Sequence, residues 1–253
     1  MSENPSRSGS VQSVERAAEL LELLADAGGE SALSELAGQT GLPLPTIHRL
    51  VRTLVQLGYV RQLPSRRYAL GPRLIRLGES AGRQLGADAR PHLAEIADEL
   101  GESANLAMID RDMVVYIAQA SSRQSMRMFT EVGRRVFMHC TGVGKAVLAQ
   151  LDENAVREIV RRVGMPAATG RSITDLDVLL AELATIRERG YAIDEGEQEV
   201  GVRCYAVAVP GAPTPSALSV SGPDSRVTDA FGERAVPLLQ RRARDIGSAL
   251  LHA

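Results

Sequence analysis

The stretch "GLPLPTIHRLVRTLVQLGYV", Gly41 to Val60, decides the fold of the front of this chain. Pro43 and Pro45 suit the entrance of a helix, where a missing N–H costs nothing. Beyond them Ile47, Leu50, Val51, Leu54 and Leu57 recur at helical spacing as one apolar stripe. Thr46, His48, Arg49, Arg52 and Thr53 fall off or beside that stripe, and Gly58 closes the segment. Such a helix, apolar on one side and basic near its start on the other, is suited to the major groove of a duplex.

The flanking residues complete a unit. "SVERAAELLELLADAGG" predicts a helix with Ser13 as N-cap and Gly28-Gly29 as its end. "SALSELAGQTG" predicts a short second helix that starts near Ser31 or Ser34 and stops at Gly41. Downstream, "GYVRQLPSRRYALG" reads as strand, turn and strand, a two-stranded wing whose tip carries Ser65, Arg66 and Arg67. Three helices and a basic hairpin make a winged helix-turn-helix.

Charge supports this reading. The chain carries a net charge of -2, yet Leu36 to Gly78 holds seven arginines and no acidic residue. A basic segment in a mildly acidic protein is an electrostatic footprint for nucleic acid. Thr46, His48, Arg49, Arg52, Ser65, Arg66 and Arg67 are therefore the expected DNA-binding positions. Arg49 is the stronger candidate on the helix, and His48 could equally cap a turn.

Composition excludes several classes. Two cysteines without a CxxC, Cys140 and Cys204, and four scattered histidines give no disulfide framework and no metal motif. No metal and no cofactor are expected. The polar opening, "MSENPSRSGS", lacks the apolar core of a signal peptide, and no apolar run approaches the ~18 residues of a membrane span. A cytoplasmic protein without a membrane partner is expected. Lys145 is the sole lysine beside 28 arginines.

Lys145 lies in "MHCTGVGKAVL", Met138 to Leu148, which has the look of a phosphate loop. The spacing rejects that reading. A P-loop needs glycine six residues before the lysine and a hydroxyl after it, where this chain has His139 and Ala146. A glycine-rich turn into a helix remains, suited either to a small anion on its free N–H groups or simply to close packing.

Around it, strands and helices alternate. "SANLAMID" and "MVVYIAQA" form a hairpin about "RD", and "MRMFTEVG" is expected as a further strand. "DENAVREIVRRVG" starts at Asp152 as N-cap, and "TDLDVLLAELATIRERGY" is amphipathic with acids first and arginines last, as the helix dipole prefers. "VRCYAVAVPG" and "SALSVSGP" are strands, and the closing segment is a helix pair or one helix broken at Pro237. The class is α+β with an antiparallel sheet. The expected organisation is a disordered tail over residues 1–10, the winged helix-turn-helix over 11–71, a linker helix over 72–87 suited to a dimer contact, and a second domain over 88–253.

The segments "SVERAAELLELL", "GLPLPTIHRLVRTLVQLGYV", "YALGPRLIRLG", "HCTGVGKAVLAQL", "RERGYAIDEGEQEVGVRCYAVAVPG" and "ALSVSGP" resemble the IclR family of bacterial transcriptional regulators from about Val11 onward. "GESANLAMIDRDMVVYIAQASSRQSMRMFTEVGRR" is similar to its glyoxylate-responsive, allantoin-pathway repressor branch. The resemblance implies a GAF/PAS-like effector-binding domain with an antiparallel sheet flanked by helices. It also implies a homodimer or dimer of dimers on a palindromic double-stranded DNA operator, and a small carboxylate effector such as glyoxylate or pyruvate. Carried over by motif, the effector-binding positions are Gly142, Val143, Asp194, Cys204, Ser219 and Ser221.

These residue types make chemical sense together. Ser219 and Ser221, two apart on a strand, face one side and can donate to a carboxylate. The amides of Val143 and Gly144 add donors, and Cys204 adds a small polarizable wall. Asp194 would repel an anion unless it is protonated, bonded to a ligand hydroxyl, or present through its backbone only. Met126, Met128, Val136 and Met138 are expected as a pocket wall or as ordinary core. Two alternatives stand beside this reading: a regulator sensing an aromatic or larger ligand, and an enzyme using Cys204 with His139 and Asp194.

Overall fold

The computed structural model describes residues 11–86, 88–127 and 130–250. The expected tail over 1–10 and the pocket-wall residue Met128 lie outside them. The chain divides into two compact units, the first ending at Ala81 and the second beginning at Gly82.

In the first unit α1 (Gln12–Asp26), α2 (Leu33–Thr40) and α3 (Leu44–Gln56) enclose a core of Leu20, Leu24, Leu36, Ile47, Val51 and Leu54. Ser13 does not cap α1. The cap position is Val11, without a side-chain bond, and Ser13 lies inside the first turn. α3 begins with proline in its first turn, as its sequence requires. The wing strands are β2 (Val60–Gln62) and β3 (Tyr68–Leu70). The expected two-stranded wing is three-stranded: β1 (Glu30–Ser31) adds to β3, giving the order β1-β3-β2. Two residues are too few to show alternation in a sequence. α4 (Arg73–Gly86) carries the chain into the second unit.

The second unit holds a six-stranded antiparallel sheet. Its elements are α5 (Arg90–Leu100), β4 (Ser103–Asp110), β5 (Met113–Ala120), β6 (Arg135–Val136), α6 (Gly142–Leu148), α7 (Glu153–Val163), α8 (Leu176–Arg189), β7 (Ala192–Glu195), β8 (Val202–Ala208), β9 (Ser216–Pro223) and α9 (Asp229–Leu250). The strand order is β6-β5-β4-β9-β8-β7. Alternation sorts each strand between two faces. Tyr205, Val207, Leu218 and Val220 join the core beneath α5 and α9. Cys204, Ala206 and Ala217 join the core beneath α6, α7 and α8.

Several sequence expectations change here. The described part of "MRMFTEVG" is not strand; the strand is the shorter Arg135–Val136, paired with Val114–Val115 of β5. α9 runs through Pro237 as one helix rather than a pair. Asp152 caps α7 as expected, accepting from Ala155 N–H at 2.9 Å. No helix among the described residues is long and apolar enough to cross a membrane.

Candidate functional site

Cross-strand register assembles the site. Asp194 of β7 pairs with Cys204 of β8, Cys204 with Ser221 of β9, and Ser221 with Ser103 of β4. Residues opposite one another share a face, so Asp194, Cys204 and Ser221 form a row beneath α6. Ser219, two residues along, lies in the next row with Ala206 and Asn105.

This row lines a small cavity of about 30 Å³. Gly142, Asp194, Cys204, Ser219 and Ser221 all contribute, with Tyr116, Thr130, Thr141, Gln198, Glu199 and Val202. The sequence reading missed these last six. Tyr116 reaches the cavity through a bulge: Leu106 pairs with Ala118 but Ala107 pairs with Tyr116, so Ile117 is the extra residue. A bulge turns the following side chains to the opposite face.

Val143 does not line the cavity. It is buried in the core with Val147 and Leu148. The expected wall is also different. Met126 is 70% exposed, while Val136 and Met138 pack in the core rather than on the cavity. Tyr116, Cys204 and Val202 supply the apolar surface instead.

The glycine turn is explained mainly by packing. A Cβ at Gly142 would stand 2.9 Å from the Cys204 sulfur, and one at Gly144 would stand 2.3 Å from the Met138 Cα. The expected donor Gly144 N–H is already taken, bonding the Thr141 hydroxyl at 3.1 Å as the helix cap. Lys145 points into the interior. It is 2% exposed and ion-paired with Glu197, with Glu182 at 3.9 Å.

Burial sets the ionisation of the site. It pushes the Asp194 carboxyl up to about 7, although the Glu197 N–H donates to it at 2.7 Å and favours the charged form. The Glu197 carboxylate adds to the upward push. Asp194 can therefore carry a proton near neutrality and donate it to an anionic oxygen. Burial also raises the Cys204 thiol and pushes Cys140 up to about 12, so neither forms a reactive thiolate readily. His139 bonds the Pro166 carbonyl at 3.0 Å and is not part of the cavity lining. Cys204 and Asp194 thus meet without the imidazole that a Cys-His-Asp enzyme requires.

Beside the cavity, the Asn105 side-chain amide lies 3.2 Å from Ser221 Oγ and 3.1 Å from the Gln119 amide. Asn105 is 1% exposed.

In the first unit the outer face of α3 presents His48, Arg49 and Arg52 to solvent, with Thr46 half-buried, while Ile47, Val51 and Leu54 face inward. The wing tip exposes Ser65 and Arg66, and Arg66 takes a left-handed backbone with φ 64°. Arg67 is placed differently from the expectation. It turns back to Glu35, donating at 2.9 and 3.1 Å, and lies 3.3 Å from Glu30. The Ala32 N–H, Ser31 and Arg67 together hold the Glu35 carboxyl at about 2. Arg67 braces the wing against the start of α2.

Comparison with known proteins agrees with this anatomy. Residues 13–64 match the IclR helix-turn-helix domain, and residues 81–248 match the family described as bacterial transcriptional regulator IclR, C-terminal. The chain is 39% identical over 232 residues to the transcriptional repressor IclR of Escherichia coli, covering 87% of this chain and 83% of that one. It is 32% identical over 251 residues to the transcriptional repressor AllR of Salmonella paratyphi A, covering 97% and 92%. An IclR-type regulator from Alicyclobacillus acidocaldarius superposes with a TM-score of 0.85 at 33% identity, covering 95% of this chain and 99% of that one. Members of this family regulate transcription through a helix-turn-helix and are not enzymes. The chain belongs to the IclR family of bacterial transcriptional regulators.

Proposed function

We propose that this protein is a repressor whose grip on its operator is set by a small carboxylate, such as glyoxylate or pyruvate, held in the cavity between α6 and the sheet. The observation that carries the reading is the convergence of Gly142, Asp194, Cys204, Ser219 and Ser221 on one cavity of about 30 Å³. So small a space favours the smallest acids, of two or three carbons, over larger ligands. An aromatic ring would have to displace Tyr116 or Val202. Ser219 and Ser221 turn polar oxygens to the cavity, and a protonated Asp194 offers a donor in place of a repelling charge. Repression is supported by the relatives IclR and AllR, both named as transcriptional repressors.

In this reading residues 11–71 bind DNA, 72–87 link, and 88–253 sense. Thr46, His48, Arg49 and Arg52 of α3 enter the major groove, and Ser65 and Arg66 reach the flanking backbone. A homodimer or dimer of dimers places paired reading helices on a palindromic operator. The ligand acts by binding one state of the sensor better than the other, a coupling typically worth ~1–3 kcal/mol per site.

Calorimetric titration of the full chain with glyoxylate, pyruvate and benzoate tests the ligand class. Saturable binding of a small oxo acid, with none of benzoate, is expected. Binding of benzoate alone would overturn the assignment.

A further inference from the structure

Gln119 faces the backbone of Thr130 with both ends of its amide. Its nitrogen donates to the Thr130 carbonyl at 2.9 Å, and its oxygen accepts from the Thr130 N–H at 2.9 Å. The reverse orientation would set donor against donor and acceptor against acceptor, so the backbone leaves one choice. In that orientation the Gln119 oxygen also faces the Asn105 amide, 3.1 Å away. Asn105 must answer with its nitrogen, the only donor on that side chain.

The other end of Asn105 then follows. Asn105 stands with its nitrogen 3.2 Å from Ser221 Oγ; turning that nitrogen to Gln119 exchanges the two ends of the amide and brings its oxygen to Ser221 instead. Asn105 is buried, so leaving one of its polar atoms unbonded carries a desolvation penalty. The Ser221 hydroxyl therefore gives its single proton to Asn105 and shows only lone pairs to the cavity. The register makes this relay a continuous cross-strand line, with Gln119 opposite Asn105 and Asn105 beside Ser219 and Ser221.

We propose that the Gln119–Asn105 relay fixes Ser221 as a hydrogen-bond acceptor, so that the site selects a small acid bearing its own hydroxyl donor, a 2-hydroxy acid or the hydrate of a 2-oxo acid. The inference rests on the cavity being the effector site. A plain carboxylate of the same size cannot satisfy Ser221, whereas a hydroxyl on the neighbouring carbon can. Asn105 and Gln119 act through Ser221 and are positioning residues.

The test is calorimetry on the full chain with two matched pairs, lactate against propionate and glycolate against acetate. The hydroxylated member of each pair is expected to bind at least about fivefold tighter, the effect of one satisfied buried hydrogen bond. Asn105→Asp keeps an acceptor beside Ser221 and is expected to keep the preference. Asn105→Ala frees the hydroxyl to rotate and is expected to bring each pair towards parity. Thermal melting checks that both variants fold, and the comparison within the unmodified chain stands even where they do not. Equal binding of both members by the unmodified chain overturns the relay and leaves the effector site standing. Failure of every acid to bind removes the site reading and the relay with it.

Discussion

Gly142 and Cys204 are packed so tightly that any side chain at residue 142 would reach the sulfur, with 2.9 Å left for a Cβ. This contact sets the distance between α6 and β8, and with it the depth of the cavity. Gly142→Ala is expected to destabilise the second unit by about 1–3 kcal/mol, the usual cost of overpacking, and to abolish effector binding. Cys204→Ala in the same chain removes the obstructing sulfur and should recover part of that stability. Thermal melts of the two single variants and the double variant measure the coupling. Strict additivity would show that the contact does not set the spacing.

Asp194 makes a pH dependence with a definite sign. Its carboxyl titrates at about 7 in the fold against an ordinary value of 3.8. The folded state thus holds the proton more tightly than the unfolded chain, and its stability contribution falls as pH rises from 3.8 to about 7, then levels. An anionic effector favours the protonated form, so its affinity is expected to fall above about pH 7, by up to about tenfold per unit. Lys145 and Glu197 face the same carboxyl, and Lys145 is ion-paired with Glu197. Calorimetry across this range checks the slope. Asp194→Asn should flatten it, and an unaltered slope in that variant would place the titration elsewhere.

The arginines of the first unit divide into two groups. Arg49, Arg52 and Arg66 are exposed and unpaired in the described contacts, whereas Arg67 is held by Glu35 and Glu30. Arg49→Ala, Arg52→Ala and Arg66→Ala should each weaken operator binding and lower the slope of log affinity against log salt by about 0.9 per lost phosphate contact. Arg67→Ala should instead lower the melting temperature of the first unit, and Glu35→Ala should reproduce that loss. Anisotropy titrations at several salt concentrations, paired with melts, separate the groups. An Arg67→Ala chain with unchanged stability and a reduced salt slope would reverse the assignment.

Much of the fold was legible because local chemistry dictated it. Pro43, Pro45 and the stripe from Ile47 to Leu54 define α3 without outside help, and Asp152 caps the helix it announces. What failed depended on partners distant in sequence. The acid-free window from Leu36 to Gly78 made Arg67 look free, but Glu30 and Glu35 lie just before it and reach Arg67 through the fold. Five of the six residues carried over for the effector site meet on one cavity, because they stand in matched register on β7, β8 and β9 or on the adjoining turn. Tyr116 escaped because simple alternation along β5 puts it on the opposite face from Gln119, and only the bulge at Ile117 reverses that. Methionines at 126 and 138 carried no signal of facing, and the fold sends one to solvent and the other to the core.

The proposed function requires that occupancy of the cavity control the hold on DNA. The most direct measurement is anisotropy of the chain's own promoter fragment, titrated with glyoxylate, for the unmodified protein and for Ser219→Ala with Ser221→Ala. Tight, salt-sensitive binding by both proteins is expected, with glyoxylate shifting the affinity of the unmodified chain about 5- to 150-fold and leaving the double variant unmoved. An equal response in the double variant, or no binding of the promoter at low ionic strength, would contradict it.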